Sequence, residues 1–545
     1  MSKIAHYLQE HLIGEVMTST DARNYFSSDA SIFSIQPAVI IYPRNENDIR
    51  KTVRFSWQLA ERNRIFPITS RGSGTDTTGA AIGSGLILVF PAHLNHILEL
   101  DNKSGSVRVE AGINFAKLQQ TLISHGFFIP AYPASIEYST LGGAVANNVS
   151  GAKSYKYGSI SNYIKTLRVI LANGEAIEVG RLNKRELSKK LGLATFEGEI
   201  YRSIDTLIEE NREVINKGRI NITHNNAGYN LFDVKSDDGG FDLIPLLLGS
   251  QGTLGIISEV ELSPRPYNPE SALIMAYIDD LGALQATIDY VRGFKYPLAS
   301  VEVINRALLE EVHKLNPNQF KDLPNPFPEY ILFLEIDELN DHHQKKNLKH
   351  ISKYFGKSGI TFQIETEPDL QQKIIKIREV SSMYLGHNDG LKKAMPIIDD
   401  AIVPPNRVQE LLSGLDQIYK AVNLNSMAFW GHVGDGNLHL QPHLNLNQIG
   451  DRQKAIKLLE EYFKLVISLG GSISGEHGDG RLKTPYLESQ YGTELYALMQ
   501  KTKQIFDPYN IFNPGVKFGT SLDDIKKLIA SDFNYGELYT FLPRS

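Results

Sequence analysis

The sequence predicts an α+β protein of two principal domains on three observations. Strand-length apolar runs alternate with helical apolar stripes along the chain. A cluster of three prolines at 263–269 directly follows a convincing strand at 256–262. The 545-residue length also exceeds what one hydrophobic core supports and suggests two to four domains.

The first domain opens with an extended run at 39–42 and a helix whose N-cap is read as Asn47, with Ile49, Val53, Trp57 and Ala60 on one stripe. Extended runs follow at 65–69, 86–90 and 107–110. Phe115, Leu118 and Leu122 mark a helix ending before Gly126, and a strand at 167–171 precedes the turn Asn173-Gly174. After the prolines, Ile456, Leu459, Phe463 and Val466 form an amphipathic helix stopped by Gly470-Gly471. Residues 504–518, rich in Asn, Pro and aromatics, read as a docked irregular segment, and the polar stretches 314–329 and 339–346 as surface loops or helix ends. A stripe at Ile525, Leu528 and Ile529 suggests a further helix that could dock on a partner or membrane surface but more often packs on its own domain. No internal repeat or low-complexity tract is present.

Composition excludes several function classes. With 42% hydrophobic and 22% charged residues the chain is globular rather than disordered. Its 56 basic and 62 acidic side chains leave a net charge of −6, too balanced to hold nucleic acid. Cysteine is absent, which removes disulfides, thiolate nucleophiles and cysteine-ligated clusters. The longest apolar runs, 86–90 and 243–248, are strand-sized, so no integral membrane segment is expected. The N-terminus carries Glu10 and Glu15 and resembles neither a signal nor a transit peptide. The expected compartment is the cytoplasm, with the inner membrane face as a peripheral alternative.

Three glycine clusters mark the first domain: Arg71-Gly72-Ser73-Gly74-Thr75-Asp76 with Gly79; the segment 133–160; and Gly249-Ser250-Gln251-Gly252-Thr253-Leu254-Gly255-Ile256-Ile257. The first lies behind a strand, where exposed N–H groups suit a phosphate. A Rossmann reading fails because an extended run, not a helix, follows, and a Walker loop fails for want of a Lys-Ser or Lys-Thr pair. Singly, each cluster is more readily a set of tight turns than a ligand site. Their order and wording resemble the FAD-binding domain of the vanillyl-alcohol oxidase and p-cresol methylhydroxylase group, over roughly 37–264.

That resemblance implies that Arg71, Gly72, Ser73, Gly74, Thr75, Asp76 and Gly79 wrap the FAD pyrophosphate. Pro133, Ser139, Thr140, Gly142, Gly143, Asn147, Ser150, Gly151, Tyr157 and Gly158 line the flavin, and Gly252, Gly255, Ile256 and Ile257 lie against the cofactor. Members that tether flavin through a histidine in the first loop carry it where this chain has Thr75, so the FAD is expected to be non-covalent.

In the second domain Gly431-His432-Val433-Gly434-Asp435-Gly436-Asn437-Leu438-His439 places two histidines seven apart. On an unbroken strand they would face opposite sides, but Gly434-Asp435-Gly436 can supply a bulge or turn that brings both to one centre. Ser474-Gly475-Glu476-His477-Gly478 adds an acid and a base whose side chains, if extended, point apart and suit separate tasks. His432, His439 and Glu476 form a two-imidazole, one-carboxylate set for a zinc-like divalent metal with an open position. Satisfied histidines in glycine turns are the plain alternative.

Residues 266–518 resemble the FAD-linked D-2-hydroxyacid dehydrogenases, which include D-lactate, glycolate and D-2-hydroxyglutarate dehydrogenases. By that resemblance His432, His439 and Glu476 hold the metal, His477 is the catalytic base, Arg378 clamps the substrate carboxylate, and Lys392 or Lys393 is a second cation. Asn437 helps frame the site. Asp399 and Asp400, in the acidic-then-Val-Pro run, are assigned to structure. Asn513 belongs to a closure onto the flavin domain, with Val516 inserted before Lys517.

The implied reaction oxidises a D-2-hydroxy acid to the 2-oxo acid. Metal lowers the hydroxyl pKa, His477 takes the proton and hydride passes to flavin. A quinone, a cytochrome or an electron-transfer flavoprotein is the implied acceptor, and a homodimer stays open. The alternatives are a same-fold oxidase or synthase acting on an aryl alcohol or ether lipid, and a non-catalytic flavin electron-transfer protein. The expected organisation is an N-terminal segment 1–36, an FAD-binding domain of the p-cresol methylhydroxylase type at 37–265, a substrate domain with antiparallel sheet at 266–503, a returning segment 504–520 and a tail 521–545. No cysteine-ligated iron–sulfur domain is expected. Flavin loops and metal residues are expected to be independent of one another.

Overall fold

A computed structural model describes residues 3–236 and 238–530, with backbone only at 388 and 389. Of the expected tail, 531–545 lies outside the described residues. Three sheets carry the architecture. The first has four strands in the order Glu15–Met17, Val39–Tyr42, Leu86–Val89, Ile68–Arg71. The last three are parallel, which explains why Leu86–Val89 is apolar and buried throughout rather than alternating. The first strand, Glu15–Met17, is antiparallel and comes from the N-terminal segment. Helix Glu46–Ala60 packs Ile49 and Val53 into the core shared with this sheet.

The second sheet is antiparallel, with Ile97–Leu100, Val107–Glu110, Ile256–Leu262, Ile164–Ile170 and Ala176–Gly180 in that spatial order. Ile256–Leu262 alternates buried and half-buried residues, as a strand with one packed face must. Helices Phe115–Ser124 and Phe196–Glu210 close its core.

Chain from the proline-rich stretch pairs Arg265–Pro266 with Phe127–Phe128, after which Ala272–Ile278 enters the third sheet. That sheet has six antiparallel strands: Thr361–Glu365, Ala272–Ile278, Tyr330–Ile336, Ser300–Asn305, Phe429–His432 and Asn437–Leu440. One face carries Ile274, Val301, Val303, Leu332 and Leu334 against helices Leu281–Arg292, Asp341–Ser358, Val408–Ala421 and Ile449–Ser468. The other carries Met275, Ile304, Ile331 and Phe333 against Arg306–Leu315, Pro368–Arg378 and Ser381–Gly386. Among the described residues no helix is long and apolar enough to cross a membrane.

Local chemistry moves three expected boundaries. The first long helix is capped by Asn45, whose side chain accepts from Asp48 N; Asn47 lies inside the helix. The strand expected at 65–69 is Ile68–Arg71, leaving Ile65 60% exposed, because Pro67 has no N–H and Ile68 N finds Ile511 O. The apolar run 243–248 contains one helical turn, Ile244–Leu247, with Pro245 in it and Asp242 Oδ1 accepting from Ile244 N. Ile525 and Ile529 are buried in the large core, so that stripe packs on its own chain.

The halves are joined by a polar seam and by the returning segment. Lys153 Nζ meets Glu335 at 2.7 Å; Lys156 Nζ meets Asp337 at 2.7 Å and Glu338 at 2.8 Å. Residues 511–513 lie along the edge strand: Ile68 N donates to Ile511 O and Asn513 N to Ile68 O. Lys503 pins this return by donating to Thr253 O, Phe512 O and Asp507 Oδ2 at 2.5–2.8 Å. Replacing Lys503 by Met leaves the buried Asp507 carboxylate without its counter-charge, which costs about 3–5 kcal/mol. A clear fall in thermal or denaturant midpoint is the expected result, and an unchanged midpoint would remove this pair from the stability of the return.

Candidate functional site

The three glycine clusters converge. Thr75 Oγ1 lies 3.3 Å from Ser139 Oγ, and Gly72 sits so close to Thr140 that a Cβ there would stand 2.3 Å from its hydroxyl. Gln251, from the third cluster, donates to Asn147 Oδ1 at 3.2 Å and to Thr78 Oγ1 at 3.3 Å. Asn513 Nδ2 donates to Ala80 O and Gln251 O, so its donor hydrogens serve to clamp two loops.

Along the first loop, among the described residues, none accepts a backbone N–H from residues 73–77. Asp76 instead turns its carboxylate back to Thr78 N and Ala80 N, shaping the loop toward Gly79. Consecutive unpaired N–H groups behind a strand are the donor set a pyrophosphate needs, so these residues fit FAD. Arg71 points the other way, donating to Ser28 O and Ala81 O beneath the loop.

Other residues expected at the flavin also make framework contacts. Gly142 packs on Ala111, and Gly143 N is bound by Thr140 Oγ1 at the start of helix Leu141–Ala146. Pro133 O closes a turn to Ile136 N. Tyr157 OH reaches across the seam to Asp337 at 2.8 Å, next to the turn at Gly158. Gly255 fits against Val169; Ile256 is buried in the core and Ile257 is half-buried on the opposite face.

The histidine motif is a hairpin. Phe429–His432 pairs with Asn437–Leu440 so that Trp430 faces His439 and His432 faces Asn437, which puts both histidines on one side. His432 Nε2 is 3.2 Å from Glu476 Oε1 and 3.4 Å from His439 Nε2; the latter is 3.4 Å from the same carboxylate oxygen. The opposite ring nitrogens are engaged: His432 Nδ1 with Glu302 at 2.8 Å and His439 Nδ1 with Asp399 at 3.0 Å. Carboxylates that hold each Nδ1–H leave the two Nε2 lone pairs aimed at one point beside Glu476, an arrangement that needs a cation or a proton between them.

The electrostatics agree. Burial opposes charge on His432, yet Glu302 and Glu476 hold its pKa well above the ordinary value. Burial also opposes ionisation of Glu476, and His432 and His439 hold it well below the usual carboxylate range. Against burial, Asp399 pushes His439 up to about 10. The donors present therefore fit a divalent metal.

His477 stands beside this trio, its ring stacked 5.1 Å from that of His439. Nδ1 lies 3.5 Å from both Asp399 Oδ2 and Thr77 Oγ1, and Nε2 is 3.8 Å from Glu476 Oε1. Its side chain is 28% exposed, against 6–11% for the other three. Glu476 and His477 do not point apart as an extended pair would, because both N–H groups turn toward Asp400. Asp399, in the run assigned to structure, contacts two of the three histidines, His439 and His477.

Independence of flavin loops and metal residues fails as well. Glu476 Oε2 accepts from Ser150 Oγ at 2.9 Å and Gly151 N at 2.6 Å, both in the second glycine cluster. Gly151 has φ +79°, and a Cβ there would meet Tyr132 O at 2.0 Å, so only glycine brings this N–H to Glu476.

Arg378 ends helix Pro368–Arg378. Burial disfavours its charge, but the fields of Glu302 and Glu335 more than offset this and keep its pKa raised. Its Nη2 is 3.5 Å from Glu379. Of the two lysines, Lys393 is buried and Lys392 exposed on the short strand Lys392–Ala394. Glu302 is not marked by any sequence motif, and the sequence names Asp399 and Gln251 without the contacts they make here. A lone acid in the apolar strand Ser300–Asn305, and paired acids between Ile398 and Ala401, were the available signals.

Comparison with known proteins agrees with this geometry. Residues 37–180 match the FAD binding domain and residues 268–516 match the FAD linked oxidases, C-terminal domain. The chain is 28% identical to a D-2-hydroxyglutarate dehydrogenase of Haemophilus influenzae over 95% of its own length, but spans about half (51%) of that protein. It is 27% identical to the glycolate oxidase subunit GlcD of Bacillus subtilis, covering 94% of this chain and 95% of that one. The structure of p-cresol methylhydroxylase with substrate bound superposes with a TM-score of 0.67 at 14% identity, over 93% of this chain and 94% of that one, which shows a shared fold. With both domain types in their order along one chain, the protein belongs to the FAD-linked oxidoreductases built from an FAD-binding domain and an FAD-linked oxidase C-terminal domain.

Proposed function

We propose that the protein oxidises a D-2-hydroxy acid of the lactate, glycolate or 2-hydroxyglutarate class to the 2-oxo acid, using non-covalent FAD and a divalent metal such as zinc. The observation that carries this reading is the convergence of His432 Nε2, His439 Nε2 and Glu476 Oε1 within 3.4 Å of one another, next to the second glycine cluster. When bound, FAD supplies a two-electron acceptor and the metal a Lewis acid for the substrate oxygens.

The chain's own residues do the rest. His432, His439 and Glu476 would hold the metal, with Glu302 and Asp399 fixing the imidazole tautomers. Arg378 binds and orients the substrate carboxylate, for which its planar fork is the natural partner. His477 takes the hydroxyl proton at Nε2, since its Nδ1 is turned toward Asp399 and Thr77.

The direct test is anaerobic mixing of the FAD- and metal-loaded protein with D- and L-forms of 2-hydroxy acids. Bleaching by D-acids that is lost on chelation is expected, and full bleaching after thorough metal removal would overturn the metal-assisted reaction.

Variants separate the assigned roles. His432→Ala is expected to lose metal and flavin reduction while keeping FAD. Glu476→Gln should lose metal and also loosen FAD, because it disturbs Ser150 and Gly151 as well. His477→Ala should keep both metal and FAD but reduce flavin roughly 10²- to 10⁴-fold more slowly. Metal analysis beside stopped-flow reduction decides, and a His477 variant without metal would refute this division of labour.

Arg378→Lys keeps the charge and loses the bidentate fork. The expected cost in kcat/KM is about 1.5 to 3 kcal/mol, with FAD affinity unchanged. Unaltered steady-state constants would remove Arg378 from the substrate site.

A further inference from the structure

Beside the trio lies a carboxylate that the proposed reaction does not use. Asp400 is fully buried, and its side chain gathers five donors. Oδ1 accepts from Glu476 N at 2.8 Å and Asn437 Nδ2 at 3.3 Å; Oδ2 accepts from His477 N at 2.9 Å, Ser474 Oγ at 3.1 Å and Lys483 Nζ at 2.8 Å. Its carbonyl takes Gly475 N at 2.7 Å. The whole 474–477 segment is thus moulded on one residue, which itself adopts φ +70°, a left-handed conformation unusual for a side chain larger than glycine.

Lys483 is the only cation in that set, and its side chain is 1% exposed. It neutralises a carboxylate that would otherwise stand buried and charged next to Glu476.

We propose that Asp400, charge-balanced by Lys483, is the positioning residue that holds the 474–477 segment so that Glu476 and His477 face the same centre. Asp400 also lies in a four-residue group, with His439, Glu476 and His477, whose ligand atoms are within 4.8 Å of one another, so direct metal ligation is the rival role. The donor count decides against it. An ionised carboxylate offers about four lone-pair sites, and five donors leave none for a cation. The inference rests on the metal centre proposed above and goes beyond it in assigning what aligns the ligand and the base.

The two roles predict opposite responses at Lys483. If Asp400 were a ligand, removing the neighbouring ammonium would free an oxygen and a positive charge would vanish, so metal would bind more tightly. If Asp400 is the template, Lys483→Met weakens metal binding, since the segment that presents Glu476 loses its charge-balanced anchor.

The experiment titrates cobalt(II), against a competing chelator, into metal-stripped protein that retains FAD, for wild type, Lys483→Met, Asp400→Asn and the double variant. Cobalt affinity should fall roughly 10- to 100-fold in each single variant, as for other groups that orient metal ligands. The double variant should be no worse than the weaker single one, and the cobalt absorption band should change shape. Ser474→Ala, which removes one uncharged donor, gives a gentler variant with an expected loss of roughly two- to tenfold. Wild-type protein that binds no cobalt would overturn the metal centre itself. Wild-type binding with tighter or unchanged affinity in Lys483→Met, or with Ser474→Ala unchanged where the charged variants fail to fold, would overturn the positioning role alone.

Discussion

The two oxygens of Glu476 face different halves of the protein, and most of the site depends on that division. One is gripped by Ser150 and Gly151 of the flavin half; the other meets the imidazoles of His432 and His439. A buried carboxylate is costly unless every lone pair is engaged. That requirement dictates the surroundings: a glycine whose backbone N–H can approach, two histidines oriented by carboxylates of their own, and a segment held from behind by Asp400. The halves cannot shift relative to one another without unmaking the metal-binding geometry, so the charge that would bind a cation also sets the domain arrangement.

The sequence carried the outline of this site but not its bracing. His432 and His439 were legible because glycines around an odd spacing require a turn, and the observed hairpin supplies it. Glu302 and Asp399 were not, because nothing near them in sequence reveals that each faces an imidazole 40 to 130 residues away. The expectation for Glu476 and His477 failed for the same reason: extended geometry is a property of the local chain, while Asp400 imposes another from 76 and 77 residues upstream. In the fold, the runs with regular periodicity were read correctly as strands and helices. The errors fell where one side chain decides, at Asn45 as cap and at Pro245, which cannot join a ladder.

Buried lysine–aspartate pairs recur around the centre: Lys483 with Asp400, Lys503 with Asp507 and Lys517 with Asp479. Lys517 adopts φ +65° and donates to Asn226 O, Gly228 O and Asp479, tying the return segment to the loop that carries His477. Pairs of this kind contribute little net stability against well-packed apolar substitutes. Here each also satisfies backbone groups of glycine-rich loops that have no side chains to fix them. Their contribution is to select one loop arrangement among many.

The return of residues 511–513 to the edge of the first sheet gives the chain an order of events during synthesis. Ile68–Arg71 and the glycine loop behind it leave the ribosome early, yet the contact between Thr69 and Asn513 spans 444 residues. At about 5–20 residues per second the edge strand waits roughly 20 to 90 s for its neighbour. During that interval the nascent flavin half exposes the unpaired backbone N–H and C=O groups of a strand edge, the kind of surface that recruits chaperones or pairs with other chains. The segment that shelters this edge is made long after the strand it covers.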